Sequence, residues 1–378
     1  MPLSAFLRLS YILCRLPKSS RLRKSGLGKF WRSQMAKNGL ERTLDALSGK
    51  ATKDIPVALH NFLFAAKYIG LDFNEGLKKG ELLAEAQLTV FRDFGHDCLQ
   101  MENGVAAMAE AIGCKIRYSE EQPPHVEKRV LDNLLNIANL SIPDPERTFP
   151  LSENLKCTRI IVREIGARAF VMGRADQGPM ALAYALAGPE NFLTNLMDPK
   201  MHPVISKILQ FCTDCTTAYA LAQKRAGAHG TSIGGAGTSL ISPKMYREWE
   251  LPYEKKWIHA VQKPNFKAFL HICEDETLIL HEMISSGADC LELDPGTPYE
   301  NVRRVLEEEK HSAVLGMVDV KRVLPFGTEK EVFDATREAI KVISPTGRLI
   351  VGPGCALPAN TPPENVHALI EAARSYSK

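Results

Sequence analysis

"FKAFLHICEDETLILHEMISSGADCLELDPGTPYENVRRVLEEEKHSAVLGMVD" spans residues 266–319, and its alternation decides the fold. Apolar FKAFLHIC (266–273) runs into the helical pattern ETLILHEMISSG, and DCLELD (289–294) runs into YENVRRVLEEEK. SAVLGMVD (312–319) then precedes EKEVFDATREAIKVIS, and RLIVGPG (348–354) precedes PENVHALIEAARSY. These are four consecutive β–α units. Short runs apolar on both faces, each followed by an amphipathic helix, predict a parallel sheet covered by helices.

Working outward, FVMGRADQGP (170–179) and AHGTSIGG (228–235) each read as a strand end entering a loop and helix. Further upstream, IPVALHNF and HDCLQME are strand candidates, and NGLERTLDALSG and ELLAEAQLTVFRDFG are helices that stop on Gly49 and Gly95. Residues 117–155 are polar and proline-bearing and read as an excursion. The count comes to about eight units. The expected fold is therefore α/β, a (β/α)8 TIM barrel with an N-terminal helical elaboration. An open doubly wound sheet would advertise itself by GxGxxG after the first strand, and that pattern is absent.

The chain has 378 residues, 45% hydrophobic and 24% charged, enough to bury a large core. No long Pro/Gly/Ser linker divides it, so one barrel domain over 37–378 is expected. Residues 1–36 form a separate basic extension: nine Lys or Arg and no acid precede Glu41. That extension reads as a stretch ahead of a start at Met35, as an organelle transit segment, or as a basic arm for a membrane surface. Without it the remainder is acidic and carries no signature for nucleic acid. Nine cysteines without regular spacing point to reduced thiols and a cytoplasmic protein. No run of 18 apolar residues is present to span a membrane.

In such a barrel the chemistry lies where strands end. His271 and Cys273 close one strand, two residues apart and so on one face, with Cα atoms roughly 6–7 Å apart. Cys355 follows the last strand after a Gly-Pro-Gly turn, and barrel closure brings that rim round to the others. One nitrogen and two sulfur donors with no fourth Cys or His nearby describe a zinc site with an open position, the arrangement of a catalytic zinc. The alternative is an HxC arising by chance, with cysteines serving as core residues. Glu292 and Asp294 share a face at their strand end. They are candidates for a catalytic base, a fourth ligand or a partner of His271, or else solvated strand-end carboxylates.

Other signals are weaker. Cys212 and Cys215 form a CxxC within a helical pattern and read as a buried helix face. Cys290 reads as core, and Cys98, Cys114 and Cys157 have no companions. SIGGAGTS (232–239) has the glycines of a phosphate cradle but no lysine close behind.

Several stretches resemble the uroporphyrinogen decarboxylase superfamily: GPMALAYALAGPENFLTNLMDP (178–199), LISPKMYREWELPYEKKW (240–257), GADCLELD (287–294) and GPGCALPANTPPENVHALIEAAR (352–374). With ERTLDALSGK near the start, the resemblance covers about residues 37–376 and implies a (β/α)8 barrel. The decarboxylase branch would bring an Arg-rich stretch and an essential aspartate, and MENGVAAMAEAIG (101–113) holds no Asp. His271, Cys273 and Cys355 match the zinc ligands of the other branch, which resembles the methylcobamide:coenzyme M methyltransferases. That resemblance implies bound Zn2+, a methylcobamide or other corrinoid as methyl carrier, and a small thiol as acceptor. No DxHxxG corrinoid-binding signature is present, so the carrier would be a separate corrinoid protein. An O- or N-demethylase of the same branch, or a carboxy-lyase, is the alternative. Glu274 stands where the family often has Gly, which puts the substrate, more than the zinc, in question.

Overall fold

The computed structural model describes residues 37–50, 54–101, 104–118 and 123–376. The basic extension over 1–36 lies outside the described residues. Eight parallel strands make one sheet: β1 (Ala58–His60), β2 (Cys98–Gln100), β5 (Phe170–Gln177), β6 (Gly230–Gly235), β7 (Lys267–Ile272), β8 (Cys290–Leu293), β9 (Ala313–Val318) and β10 (Leu349–Pro353). The sheet follows that order. It closes where Val351 bridges in parallel to Val57, just ahead of β1, with Val351 N donating to Pro56 O at 3.0 Å. A Cβ at Gly352 would collide with the Ala58 carbonyl oxygen, so the closure requires glycine there. The eight-strand α/β barrel expected from the sequence is the fold observed.

A small antiparallel hairpin, β3 (Lys115–Arg117) with β4 (His125–Lys128), begins just ahead of the excursion and runs into it. A short 3-10 turn, Leu134–Asn139, follows the hairpin.

The barrel interior changes character from bottom to top. Ala58, Cys98, Phe170, Met172, Phe269, Cys290, Ala313 and Ile350 form one buried apolar cluster. Burial of each large member stabilises the fold by about 1.5–3 kcal/mol. The helix Gly39–Leu47 plugs this floor with Ala46 and Leu47. It begins on a capping box in which the Asn38 side chain accepts from Glu41 N and the Glu41 side chain accepts from Asn38 N. Two residues further along several strands, the same inward parity carries polar groups: His60, Gln100, Arg174, Ser232, His271 and Glu292 are all buried. The period of two along each strand thus sets a polar layer on an apolar floor, at the end where the strands give way to loops.

A buried ion cluster ties the floor together. Asp97, 1% exposed, accepts from Val57 N at 2.9 Å and from Arg42 Nε at 3.1 Å, and forms an ion pair with Arg374 Nη1 at 2.8 Å. It joins the first described helix, the strand-closing segment and the last helix.

Candidate metal centre

β7 ends at Ile272, and the chain leaves it with Cys273 directed back over His271. Cys273 Sγ lies 3.2 Å from His271 Nε2. Cys355, two residues beyond β10, completes the group: the donor atoms of His271, Cys273 and Cys355 all lie within 4.8 Å of one another. A tetrahedral zinc with ordinary Zn–N and Zn–S bonds sets its ligand atoms about 3.6–3.8 Å apart. The Cys273–His271 separation falls a few tenths of an ångström under that spacing, and the whole set stays within 4.8 Å.

The imidazole is already oriented. His271 Nδ1 lies 3.0 Å from the backbone carbonyl of Glu292. That carbonyl can only accept, so Nδ1 carries the proton and Nε2 faces the two sulfurs. The register that pairs His271 with Glu292 places the carbonyl there.

The three groups polarise one another. Burial alone would lower the His271 pKa, but the Cys355 sulfur, with Glu292, outweighs it and raises it to about 9. Hydrogen bonding from Cys273 holds the Cys355 thiol well below its usual value despite burial, with His271 assisting. The same hydrogen bond, together with burial, pushes Cys273 upward.

Glu292 is held on its far side. Its Oε2 accepts from Gln100 Nε2 at 2.8 Å, and Arg174 Nη1 lies 3.5 Å away. Arg174 also donates to Ser232 Oγ at 3.2 Å. Among the glycines of SIGGAGTS, a Cβ at Gly234 would collide with the Arg174 guanidinium, one at Gly235 with Thr238 and Ile272, and Gly237 has a left-handed backbone beside Tyr184. That accounts for them without a phosphate. Asp294 is buried at the next position of the same face, and its Oδ1 accepts from Gly296 N at 3.2 Å. Burial raises its carboxyl, and Lys321, Cys355 and His271 all act on it electrostatically.

Sequence reasoning missed Gln100, Arg174 and Glu276. Glu276 lies three residues past Cys273 and is 1% exposed. Its Oε2 takes the Thr297 hydroxyl, while Oε1 is buried without a partner. Burial pushes its carboxyl up to about 8, against the Thr297 hydrogen bond. An acid raised in this way contributes stability below its unfolded pKa, near 4.3, and loses it as pH rises through about 8. Glu276→Gln has no charge to bury. In chelator-treated protein it should gain on the wild type by about 2–4 kcal/mol between pH 5 and pH 9. Urea titrations at the two pH values measure this, and a pH-independent difference would contradict it.

Glu274 is exposed, and its backbone is left-handed at φ 81°. A non-glycine residue there carries a strain of about 1–3 kcal/mol. Glu274→Gly should therefore raise the denaturant midpoint, by about 1 kcal/mol net of the added chain entropy. A lowered midpoint would show that the Glu274 side chain stabilises the fold.

The remaining cysteines are elsewhere. Cys212 and Cys215 are buried on the helix His202–Arg225, and burial raises both thiols. Cys98 and Cys290 lie in the barrel floor. Among the described residues, His271, Cys273 and Cys355 are the one group of three or more potential ligands gathered closely enough for a metal.

The family profile described as uroporphyrinogen decarboxylase (URO-D) matches residues 38–376. The chain is 27% identical over 307 residues to the methylcobamide:CoM methyltransferase MtbA of Methanosarcina acetivorans, covering 79% of this chain and 85% of that one. It is 28% identical over 307 residues to the methylated-thiol–coenzyme M methyltransferase of Methanosarcina mazei, covering 78% and 77%. Among solved structures, a methyltransferase from Methanosarcina mazei superposes with a TM-score of 0.81 at 22% identity, covering 89% and 98%. That likeness bears on the fold, and it agrees with the closed sheet above. With the profile spanning nearly every described residue, the chain belongs to the uroporphyrinogen decarboxylase family.

Proposed function

We propose that this protein is a zinc-dependent methyltransferase. It moves a methyl group between a methylated corrinoid, carried on a separate protein, and a small thiol or similar acceptor. The observation that carries this reading is the convergence of one imidazole and two thiols at the barrel mouth, with the imidazole preset by the Glu292 carbonyl. Methylcobamide:CoM methyltransferases among the relatives support the same reaction class.

His271, Cys273 and Cys355 would hold the metal. Bound there, zinc supplies an open position at which a thiol gives up its proton near neutral pH and remains a nucleophile. Two cysteine thiolates balance the charge of the ion, so the sulfur of the acceptor stays electron-rich. In the forward direction the corrinoid would supply the methyl group to the sulfur, with Co(III) becoming Co(I) and the thiol becoming a thioether with release of one proton. Asp294, raised by burial and under the electrostatic influence of Cys355 and His271, would take that proton. Glu292 acts through position: its carbonyl aims His271, and Gln100 and Arg174 fix its carboxylate.

The corrinoid partner would meet the rim. Leu240, Leu278 and Phe326 follow β6, β7 and β9 and are 57%, 76% and 74% exposed. Large apolar side chains on three strand-end loops suit a protein that docks over the mouth.

The test is anaerobic incubation of zinc-loaded protein with methylcobalamin and 2-mercaptoethanol, followed by the cobalamin spectrum and by mass spectrometry of the thioether. Formation of Co(I) with a matching amount of thioether is expected. No transfer to thiol, with demethylation of a methoxy compound or methylamine by Co(I), would reverse the direction. No transfer either way would remove the reading.

A further inference from the structure

The loop that follows Cys273 reads Glu274-Asp275-Glu276, and Asp294 stands on the adjacent strand end. Each acid has a different fate. Asp275 is spent on its own turn, accepting from Thr277 N at 2.9 Å. The exposed Glu274 carboxylate makes no hydrogen bond or ion pair among the described residues. Glu276 is buried with Oε1 unpartnered, and it lies within electrostatic reach of His271 and Asp294. Glu292 Oε1 is likewise buried and unpartnered beside the imidazole.

Positive charge at the same rim is committed or exposed, and the exposed Lys321 acts electrostatically on Asp294. Arg174 is the one buried Arg or Lys among the described residues, and it is engaged by Glu292 and Ser232. Lys321 and Arg322 are exposed on the loop after β9. A zinc with two thiolates adds no net charge. A sulfonate, carboxylate or phosphate entering this mouth would thus meet acids and no buried cation to receive it.

We infer that the substrate at this site carries a positive charge, an ammonium or substituted ammonium, bound by Glu276 with Glu274 and Asp294 beside it. The inference rests on the methyl-transfer reading above and adds the charge class of the small molecule. The two buried carboxylate oxygens without donors are the independent sign of a ligand, because such an atom is costly unless something pairs with it. An ammonium supplies both the missing donor and the missing counter-charge. Glu276 held up at about 8 is the behaviour of a carboxyl that lacks them.

The experiment uses the zinc-loaded full chain, methylcobalamin as donor and three two-carbon thiols: 2-aminoethanethiol, 2-mercaptoethanol and 2-mercaptoethanesulfonate. The expected order of kcat/KM is ammonium above neutral above sulfonate, by about tenfold at each step. Glu276→Gln should bring the ammonium-to-neutral ratio down to within about threefold of one. Taking the ratio of wild type to variant for each thiol cancels their different acidities. A sulfonate used as well as the ammonium, or a ratio unchanged in Glu276→Gln, overturns the inference while leaving methyl transfer intact. Equal stimulation of all three thiols by added potassium or magnesium also overturns it, by assigning the acids to an inorganic cation. Failure to methylate any of the three, with no demethylation of a methoxy compound or methylamine by Co(I), defeats the methyl-transfer reading itself.

Discussion

Cys355→Ser should lose its zinc and at least about a thousandfold of its methyl-transfer rate. A serine hydroxyl is a poor ligand at neutral pH, because the thiolate is the form that binds, and hydrogen bonding from Cys273 favours that form at Cys355. Two ligands from one strand end, His271 and Cys273, would remain. They are local in sequence, whereas Cys355 is what ties β10 to β7 across the mouth. A thousandfold corresponds to about 4 kcal/mol of lost transition-state stabilisation. That is within what removal of a metal-activated nucleophile commonly costs. Cys355 is only partly buried and lies beyond its strand, so the thermal transition of the variant should stay close to that of the wild type. Metal analysis after dialysis should give about one zinc per chain in the wild type and below about 0.1 in the variant. A variant with full zinc and more than a tenth of the rate would show that Cys355 is not a ligand.

A second large effect lies at the opposite end of the barrel. Asp97→Ala should destabilise the protein by about 3–5 kcal/mol, because it leaves two arginines without their shared buried acceptor. It also strips Val57 N of its 2.9 Å partner beside the strand that closes the barrel. Both guanidiniums are partly exposed, Arg42 at 17% and Arg374 at 31%, which places the expected cost toward the lower end of that range. Equilibrium denaturation measures it. A loss under 1 kcal/mol would mean that solvent replaces the carboxylate freely.

The two ends of the barrel were unequally legible in the sequence. All eight barrel strands fall within segments that could be read as strands, because a strand buried on both faces must be a short apolar run between helical patterns. The triad was legible for a related reason. His271 and Cys273 are two apart, which is a strand-parity statement, and Cys355 follows from closure. The hairpin over 115–128 was not, because its strands are three and four residues long and mostly exposed.

The partners of the triad were invisible because they depend on pairings distant in the chain. Gln100 and Glu292 are separated by 192 positions and meet only through the closed sheet. Asp97 and Arg374 are joined in the same way across the barrel floor. Glu276 could have been suspected from its place in the loop after Cys273, but only the Thr297 contact and the orphaned oxygen distinguish it from a solvated acid. Glu274 drew notice in the sequence as an acid in place of glycine. Its φ of 81° supplies the physical reason glycine would be favoured there.

The central claim is a three-ligand zinc whose fourth position is taken by the sulfur of the substrate, and zinc X-ray absorption tests it most directly. The resting protein should show one nitrogen at about 2.0–2.1 Å and two sulfurs at about 2.3 Å, completed by a light atom. Addition of 2-mercaptoethanol should replace that light atom with a third sulfur at the same distance. A sulfur count that stays at two with saturating thiol, or that already stands at four without it, would contradict the account.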